Sequence, residues 1–464
     1  THAMAAASTD NAEDPIETVI VTAHRTPITA ADTSSSVSAI DRSLIDQRQS
    51  TFAPDLLRNL PGVAVSRTAG FGSQAQVRIR GAEANHVLVI IDGVEANDPA
   101  GPDEFDFAAL TTFDIESIEL IRGPQSALWG SDATAGVINI ATRRSNKPLD
   151  AAGFVEGGSF GTAHGGARLS AGNDRGGMDL GISHLDTQGT VTAANGNEKD
   201  GNQNTTATLR GRWVPAENAD VSIFARYTDA EVEFDDFDFS TGLPADADRT
   251  SEDHLLLLGA KGSLRLLDER WQHALRMTYL DSDHDRTADG IDSGSTAAEK
   301  LGIYYQSTLL LGRASEPDQH RLTLAIDHEQ EDFRQRGPAS AFGDPNQDQE
   351  LDNTGYIAEY IGQPFPGASF SASVRHDDNS DFADITTYRV TAAYQLPKLQ
   401  TRFRGSFGTG QKSPTFVERF GFFADQFVGN PELDPEKSNG FEVGISQPLL
   451  QGRLRADIVY FNEE

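Results

Sequence analysis

The 464 residues contain no cysteine. That removes thiol catalysis, cysteine-ligated zinc and disulfide stapling together. It also fits a chain exported through an oxidising compartment. Long apolar runs are missing as well: no stretch approaches the ~20 residues that a membrane-spanning helix needs. Spanning strands stay open, because they hide their apolar residues by alternation. Positive charge is scarce, with 38 Lys and Arg against 70 Asp and Glu and a formal net charge of −32. A nucleic-acid partner is disfavoured by that repulsion. Hydrophobic residues at 38% and charged residues at 23% are not the balance of a disordered chain. The length calls for two units, or one very large β unit.

What is present divides by its grammar. Residues 1–33 are small and polar, with one apolar burst at Val19-Ile-Val21. They read as a flexible tail carrying a short extended motif, and Thr1-His-Ala-Met-Ala5 as a cloning leftover before a mature N-terminus. Residues 34–145 read as an α+β unit. Ala53–Leu60 has a Pro start and helical spacing of Leu56, Leu57 and Leu60, and Pro61-Gly62 stops it. Extended runs follow at Val63–Val65, Val77–Ile79, Val87–Ile91, Ile115–Ile121 and Val137–Ile140, separated by turn signals such as Asp92-Gly93 and Arg122-Gly-Pro124.

From residue 146 to residue 464 the period is two. Leu322, Leu324 and Ile326 fall on one face; Arg321, Thr323 and Asp327 fall on the other. Val221, Ile223, Ala225 and Tyr227 repeat the pattern, as do Leu275, Met277 and Tyr279. Such strands have one apolar and one wet face. Short connections near 173–174, 215–218, 268–270, 317–318, 364–367 and 397–398 alternate with long polar ones near 188–203, 235–251, 284–297, 336–351 and 412–436. Short turns at one end and long loops at the other are the rhythm of an antiparallel transmembrane barrel. About 15 strands of ~10 residues are expected from 151 to 464. The last run, Ile458-Val-Tyr-Phe-Asn462, stops inside a strand, and a barrel in lipid must close. Further C-terminal strands are therefore expected.

Several phrases of the first unit go beyond composition: Val77-Arg-Ile-Arg-Gly81, Val87-Leu-Val-Ile-Ile-Asp-Gly93, Ile118-Glu-Leu-Ile-Arg-Gly-Pro124, Ala127-Leu-Trp-Gly130 and Ala135-Gly-Val-Ile-Asn-Ile140. In this order they resemble the plug domain of TonB-dependent outer-membrane transporters. Gly429-Asn-Pro-Glu-Leu-Asp-Pro-Glu-Lys-Ser438 resembles a barrel motif of that family. The resemblance runs from Glu17 to the end. It implies an N-terminal plug inside the lumen of a 22-stranded barrel, a plugged class, in the bacterial outer membrane. Its partners would be lipid, the TonB C-terminal domain and a large small-molecule ligand, and it would not be an enzyme.

Glu17, Thr18, Val19, Ile20, Val21, Thr22 and Ala23 look like the TonB box. A short β-prone segment on a mobile tail can add as a strand to a partner's sheet edge. Arg78, Arg80 and Arg122 are expected to bond carboxylates on the inner barrel wall. Within the family, Asn85–Val94, Arg375–Phe382 and Gly408–Ser438 are most similar to the vitamin B12 (cobalamin) receptors, with a longer loop around Phe420–Val428. By the same match the substrate-facing apex would be Phe71, Gly72, Ser73, Gln74, Asn97, Asp98 and Pro99. Those receptors order outer loops with calcium, which implies Asp200, Asp235, Asp236 and Asp238 as ligands here. Three other readings remain open: a ferric siderophore as cargo, a barrel-based outer-membrane enzyme, or a soluble calcium-binding adhesin. Neither a His-Glu-x-x-His nor a phosphate loop supports the enzyme.

Overall fold

Five consecutive apolar residues, Val87–Ile91, have no wet face to offer, and all five are buried. They occupy the interior of a five-stranded sheet in a computed structural model of the chain. The model describes residues 19–20, 23–29, 33–68, 70, 72–144, 147–238, 240–312, 319–341, 343–423, 427–450 and 453–464. The strand order is Val37–Ile40, Ile115–Arg122, Gly136–Thr142, Val87–Ile91 and Val94–Glu95. Val87–Ile91 runs parallel to Gly136–Thr142, and the other pairs are antiparallel. A hairpin of Val63–Arg67 and Ala75–Ile79 lies beside it.

The helix expected over 53–60 is shorter, Ala53–Leu57. Its Leu56 and Leu57 are fully buried in one cluster with Ile79, Val89, Ile138 and Ile140. A second helix, Arg42–Arg48, escaped the sequence reading. Its start is set by Asp41, whose carboxylate accepts from the Leu44 N–H at 2.8 Å, the usual N-cap bond. This unit therefore has an ordinary apolar core, ending with Thr142.

Leu149 begins a different object. Fifteen strands, from Leu149–Gly157 to Leu454–Glu463, form one antiparallel sheet in strict chain order, the number expected. Its burial is inverted. Thr323 and Asp327 are 1% and 3% exposed, while Leu322, Leu324 and Ile326 on the opposite face are 37%, 56% and 47% exposed. An exposed apolar face and a buried polar one suit a wall with lipid outside and protein inside. The plug fills that inside: Phe224, Leu257 and Leu280 of the wall join its core.

Two expected long loops are strand instead. Ala219–Asp238 turns into Leu243–Leu266, and Trp271–Ala288 turns into Ile291–Leu310, so most of 235–251 and 284–297 belongs to the sheet. The longest strand has 24 residues, where about 9–11 suffice to cross the hydrocarbon at a barrel's tilt. Beyond the apolar belt both faces are wet, so alternation fades although the ladder continues. Long connections remain at 191–199, 337–346 and 413–435. The last contains the helix Phe416–Phe420, whose Thr415 and Glu418 form a reciprocal capping box. The predicted short turn at 317–318 lies outside the described residues.

Candidate functional site: the plug–wall seam and its outer mouth

Apart from Phe224, Leu257 and Leu280, which join the plug's core, the inner wall meets the plug largely through charge. The leading segment shows this first. His24 Nδ1 lies 2.7 Å from Glu359 Oε1, and the Arg25 backbone N–H donates to Glu359 Oε2 at 3.1 Å. The Arg25 guanidinium forks onto both oxygens of Asp327, with Nη1 at 3.1 Å from Oδ1. Arg375 shares the same carboxylate at 2.8 Å and holds Asp377 at 2.8 Å. Further along, Ser36 N–H donates to Glu442 at 2.8 Å and Arg389 donates to Ser35 Oγ at 2.6 Å. Each carboxylate gains a charge-assisted bond, and together these contacts tie His24, Arg25, Ser35 and Ser36 to the wall.

Of the proposed TonB box, Val19–Ile20 pairs antiparallel with Ile28–Thr29, and Ala23 is buried. Glu17, Thr18, Val21 and Thr22 lie outside the described residues. The extended reading of the segment holds at Val19–Ile20, which folds back as a hairpin.

A second set of ion pairs sits at the plug apex with the signs exchanged. Here the plug supplies carboxylates and the wall cations. Lys300 Nζ lies 2.5 Å from Glu95, 2.8 Å from Glu331 and 3.6 Å from Glu329. His284 bridges Asp98 and Asp253, each at 2.6 Å, and Ser282 Oγ donates to Asp98 at 2.6 Å. Lys412 binds Asp132 at 2.6 Å and also Asp103. Burial and the neighbouring Asp132 push the Asp103 carboxyl up to about 8, against the pull of Lys412. Burial acts on Asp132 too, but Lys412 and Lys300 hold it well below the usual carboxylate range. Burial, aided by Glu329 and Asp132, raises Glu95 despite Lys300. The apex therefore packs acidic groups and cations side by side in a space that favours neutral groups.

The three predicted arginines separate. Arg80 is a seam residue, with Glu442 and Glu463 each at 2.6 Å. Arg78 is not: among the described residues its bonds go to Ser66 Oγ and Gln76 Oε1 within the plug. Arg122 donates within the plug, to the Pro61 carbonyl at 2.9 Å; burial beside Arg80 lowers it to about 10, against the pull of the wall carboxylate Glu442. Strand alternation turns Arg78 away from Val77 and Ile79, onto the solvated edge of its hairpin.

The predicted apex residues are likewise sorted. Asn97 is fully buried: its Oδ1 accepts from Val89 N–H at 2.8 Å, and its Nδ2 donates to the carbonyls of Val87 and Asp103. That amide is used inside the plug and does not face a ligand. Asp98 is a wall contact, and Pro99 is buried. Ser73 Oγ donates to Gly70 O, and Gln74 donates to Glu104. Gly72 approaches the wall so closely that a Cβ would lie 2.2 Å from the Asn202 side chain. Phe71 lies outside the described residues.

Near the 191–199 connection, one carboxylate oxygen each of Glu198, of Asp235 in the strand Ala219–Asp238 and of Asp246 in the strand Leu243–Leu266 falls within 4.8 Å of the others. Burial and the charge of Asp246 raise Glu198. Of the four predicted ligands, Asp235 is in this group. Asp200 stands next to it, capping Thr192 N–H at 2.9 Å. Asp236 is paired with Arg249 at 2.8 Å, and Asp238 caps Ser240. Those two are not in the group.

One string does have hydrolase spacing, Gly157-Gly-Ser-Phe-Gly161. It is an exposed hairpin between two wall strands rather than a strand–turn–helix elbow. Lys300, Lys412 and His284 are not among the site residues expected from the sequence, where Arg375 enters only as the start of a family-like segment. A lone cation on the inner face of an alternating strand was the available signal.

Comparison with known proteins agrees with this architecture. Residues 29–137 match the TonB-dependent receptor plug domain, and residues 141–464 match the TonB-dependent receptor-like β-barrel. The vitamin B12 transporter BtuB of Vibrio vulnificus (strain YJ016) is 28% identical over 461 residues, covering 96% of this chain and 70% of that protein. Among solved structures, the siderophore receptor PirA from Acinetobacter baumannii superposes with a TM-score of 0.77 at 18% identity, covering 94% of this chain and 72% of that one. The alcaligin outer membrane receptor FauA from Bordetella pertussis gives 0.74 at 14%, covering 96% and 73%. These structural likenesses speak for the fold alone. A plug held by buried ion pairs inside an outward-apolar wall, with both family matches in sequence order, makes this chain a member of the TonB-dependent receptors, transport proteins of the bacterial outer membrane and not enzymes.

Proposed function

We propose that the protein imports a corrinoid of the cobalamin type, with energy delivered by TonB to the segment Glu17–Ala23. The carrying observation is the match to a vitamin B12 transporter along both plug and barrel. The geometry supports the mode of action. The lumen is plugged and the plug is tied to the wall by buried charge, so cargo passes only when those ties are broken. Ties of this kind hold firmly yet release in steps, which a fused apolar core would not.

The same reading assigns any calcium to Glu198, Asp235 and Asp246, with Asp200 beside them. Carboxylate oxygens suit a cation that takes about 6–8 oxygen ligands, and backbone carbonyls and water would complete the set. Equilibrium binding of cyanocobalamin to the purified protein, with and without a chelator, tests both points. Tight binding that weakens on chelation is expected. Binding of a ferric siderophore in place of cyanocobalamin would reassign the cargo.

A further inference from the structure

The wall strands Leu243–Leu266 and Trp271–Ala288 set two cations directly opposite each other, Lys261 and Arg276. Leu275 and Met277, the chain neighbours of Arg276, are exposed on the lipid-facing side. Alternation therefore turns the two cations into the lumen. Lys261 precedes the end of its strand at Leu266 by five residues, and Arg276 follows the start of its strand at Trp271 by five. The turn between those strand ends is a short one, which puts the pair at the periplasmic end of the wall.

Like charges in this position repel, and the chain has acid to spare, 70 Asp and Glu against 38 Lys and Arg. Yet among the described residues neither side chain has an ion pair, and Arg276 Nε is buried without a partner. The nearby acids are taken. Asp220 is held by Arg212 at 2.6 Å, Asp92 by Arg210 at 2.7 Å, and Asp327 by Arg25 and Arg375. Ser222, opposite Lys261 on its other side, carries no charge. The Arg276 guanidinium lies over the Tyr304 ring, 4.1 Å from its centroid, and the Tyr304 hydroxyl donates elsewhere, to Glu329 at 3.0 Å. The plug's Asp92-Gly93 turn packs against Arg276: a Cβ on Gly93 would lie 3.9 Å from its Cδ. The pair thus stands on the seam itself. Lys261 stays exposed, and the exposed Arg144, where the chain leaves the plug, is close enough to repel it.

We propose that Lys261 and Arg276 form an oxyanion site at the periplasmic end of the seam, which takes the phosphodiester of the cargo as it leaves the plug. An arginine fork meets both free oxygens of a phosphodiester, and the adjoining ammonium adds a point charge. Charge also sets the direction. At the apex the plug presents Asp98, Asp103 and Asp132, which repel such a group. The inner end offers it two cations that have no acid of their own. This rests on the reading that the cargo is a corrinoid of the cobalamin type, and it names the part of that cargo recognised on the inner side.

Lys261 is an amine whose reactivity can be followed. Acetylation of the complete protein in detergent is read by peptide mass spectrometry, with Lys398, exposed on another short turn, as the reference. An ion pair keeps an amine protonated and unreactive. Excess dimethyl phosphate should therefore slow acetylation of Lys261 about fivefold, the scale of one partly solvated ion pair, and leave Lys398 as it was. Arg276→Gln should abolish that protection. No protection of Lys261, or equal protection of Lys398, would overturn the site. Protection by inorganic phosphate and not by dimethyl phosphate would overturn the ester assignment in favour of the free ion. Uptake by cells tests the cargo, since cyanocobalamin carries the phosphodiester and dicyanocobinamide lacks it. With Lys261→Gln and Arg276→Gln combined, the ratio of their uptake rates should fall about tenfold, the scale of a lost bond to a charged group. A ratio equal to the parent's would overturn the proposal, because a merely structural defect slows both alike. Should neither corrinoid bind the parent, the cargo assignment falls, while dimethyl phosphate still decides the site.

Discussion

Plug and wall are built from one chain by opposite rules. In the plug, Leu56, Leu57, Ile138 and Ile140 are buried and charge faces outward, as in a water-soluble domain. In the wall, Thr323 and Asp327 are buried and Leu324 faces out. Burial alone does not identify a core: what matters is the medium on the other side. The seam is where the two rules meet, mostly through charge, with Phe224, Leu257 and Leu280 of the wall as its apolar part.

Breaking the seam should cost most. Lys412→Met leaves Asp103 and Asp132 facing each other without their cation. Removing one member of a buried pair costs about 3–5 kcal/mol, expected here as faster proteolysis of the plug within an intact barrel. Loss of barrel heat-modifiability in the same variant would show that the two units do not stand apart. Leu57→Ala tests the plug's own core and should cost about 2–5 kcal/mol, read by the same proteolysis with the seam unchanged. Its counterpart in the wall is Leu324→Arg, which should cost about 2–4 kcal/mol in a bilayer if the residue lies near the midplane. Urea titration of folding into vesicles measures it. A neutral result would mean that this face does not meet lipid.

A pH test sharpens the apex. Asp103 is raised from its ordinary value to about 8. The folded state binds that proton more tightly than the unfolded state, so its contribution is complete below about pH 4 and is lost as pH rises through 8, at no more than about 1.4 kcal/mol per pH unit. Asp103→Asn should flatten plug stability over that window, and an unchanged slope would place the titration elsewhere. The smallest effect belongs to Arg78→Ala, whose partners are Ser66 and Gln76 within the plug. A change within about 1 kcal/mol is expected. A loss as large as that of Arg80→Ala, measured alongside, would return Arg78 to the seam.

What could be read in advance was local. Period-two alternation sufficed for the wall and for its fifteen strands, because each strand reports its own two faces. It failed at 235–251 and 284–297, where water on both sides removes the contrast while the hydrogen-bonded ladder goes on. An unbroken apolar run marked Val87–Ile91 as interior for the same local reason. The helix at Arg42–Arg48 was legible through Asp41 but was passed over.

The order of residues carries the two grammars, the boundary between them and the family phrases. Which charges meet is a property of the folded arrangement. Arg25 and Asp327 are 302 positions apart, Asp132 and Lys412 are 280 apart, and Glu95 and Lys300 are 205 apart. Nothing near any of these residues in the chain marks its partner, because ion pairing depends on distance through space. That distance is set only once fifteen strands have wrapped around the plug.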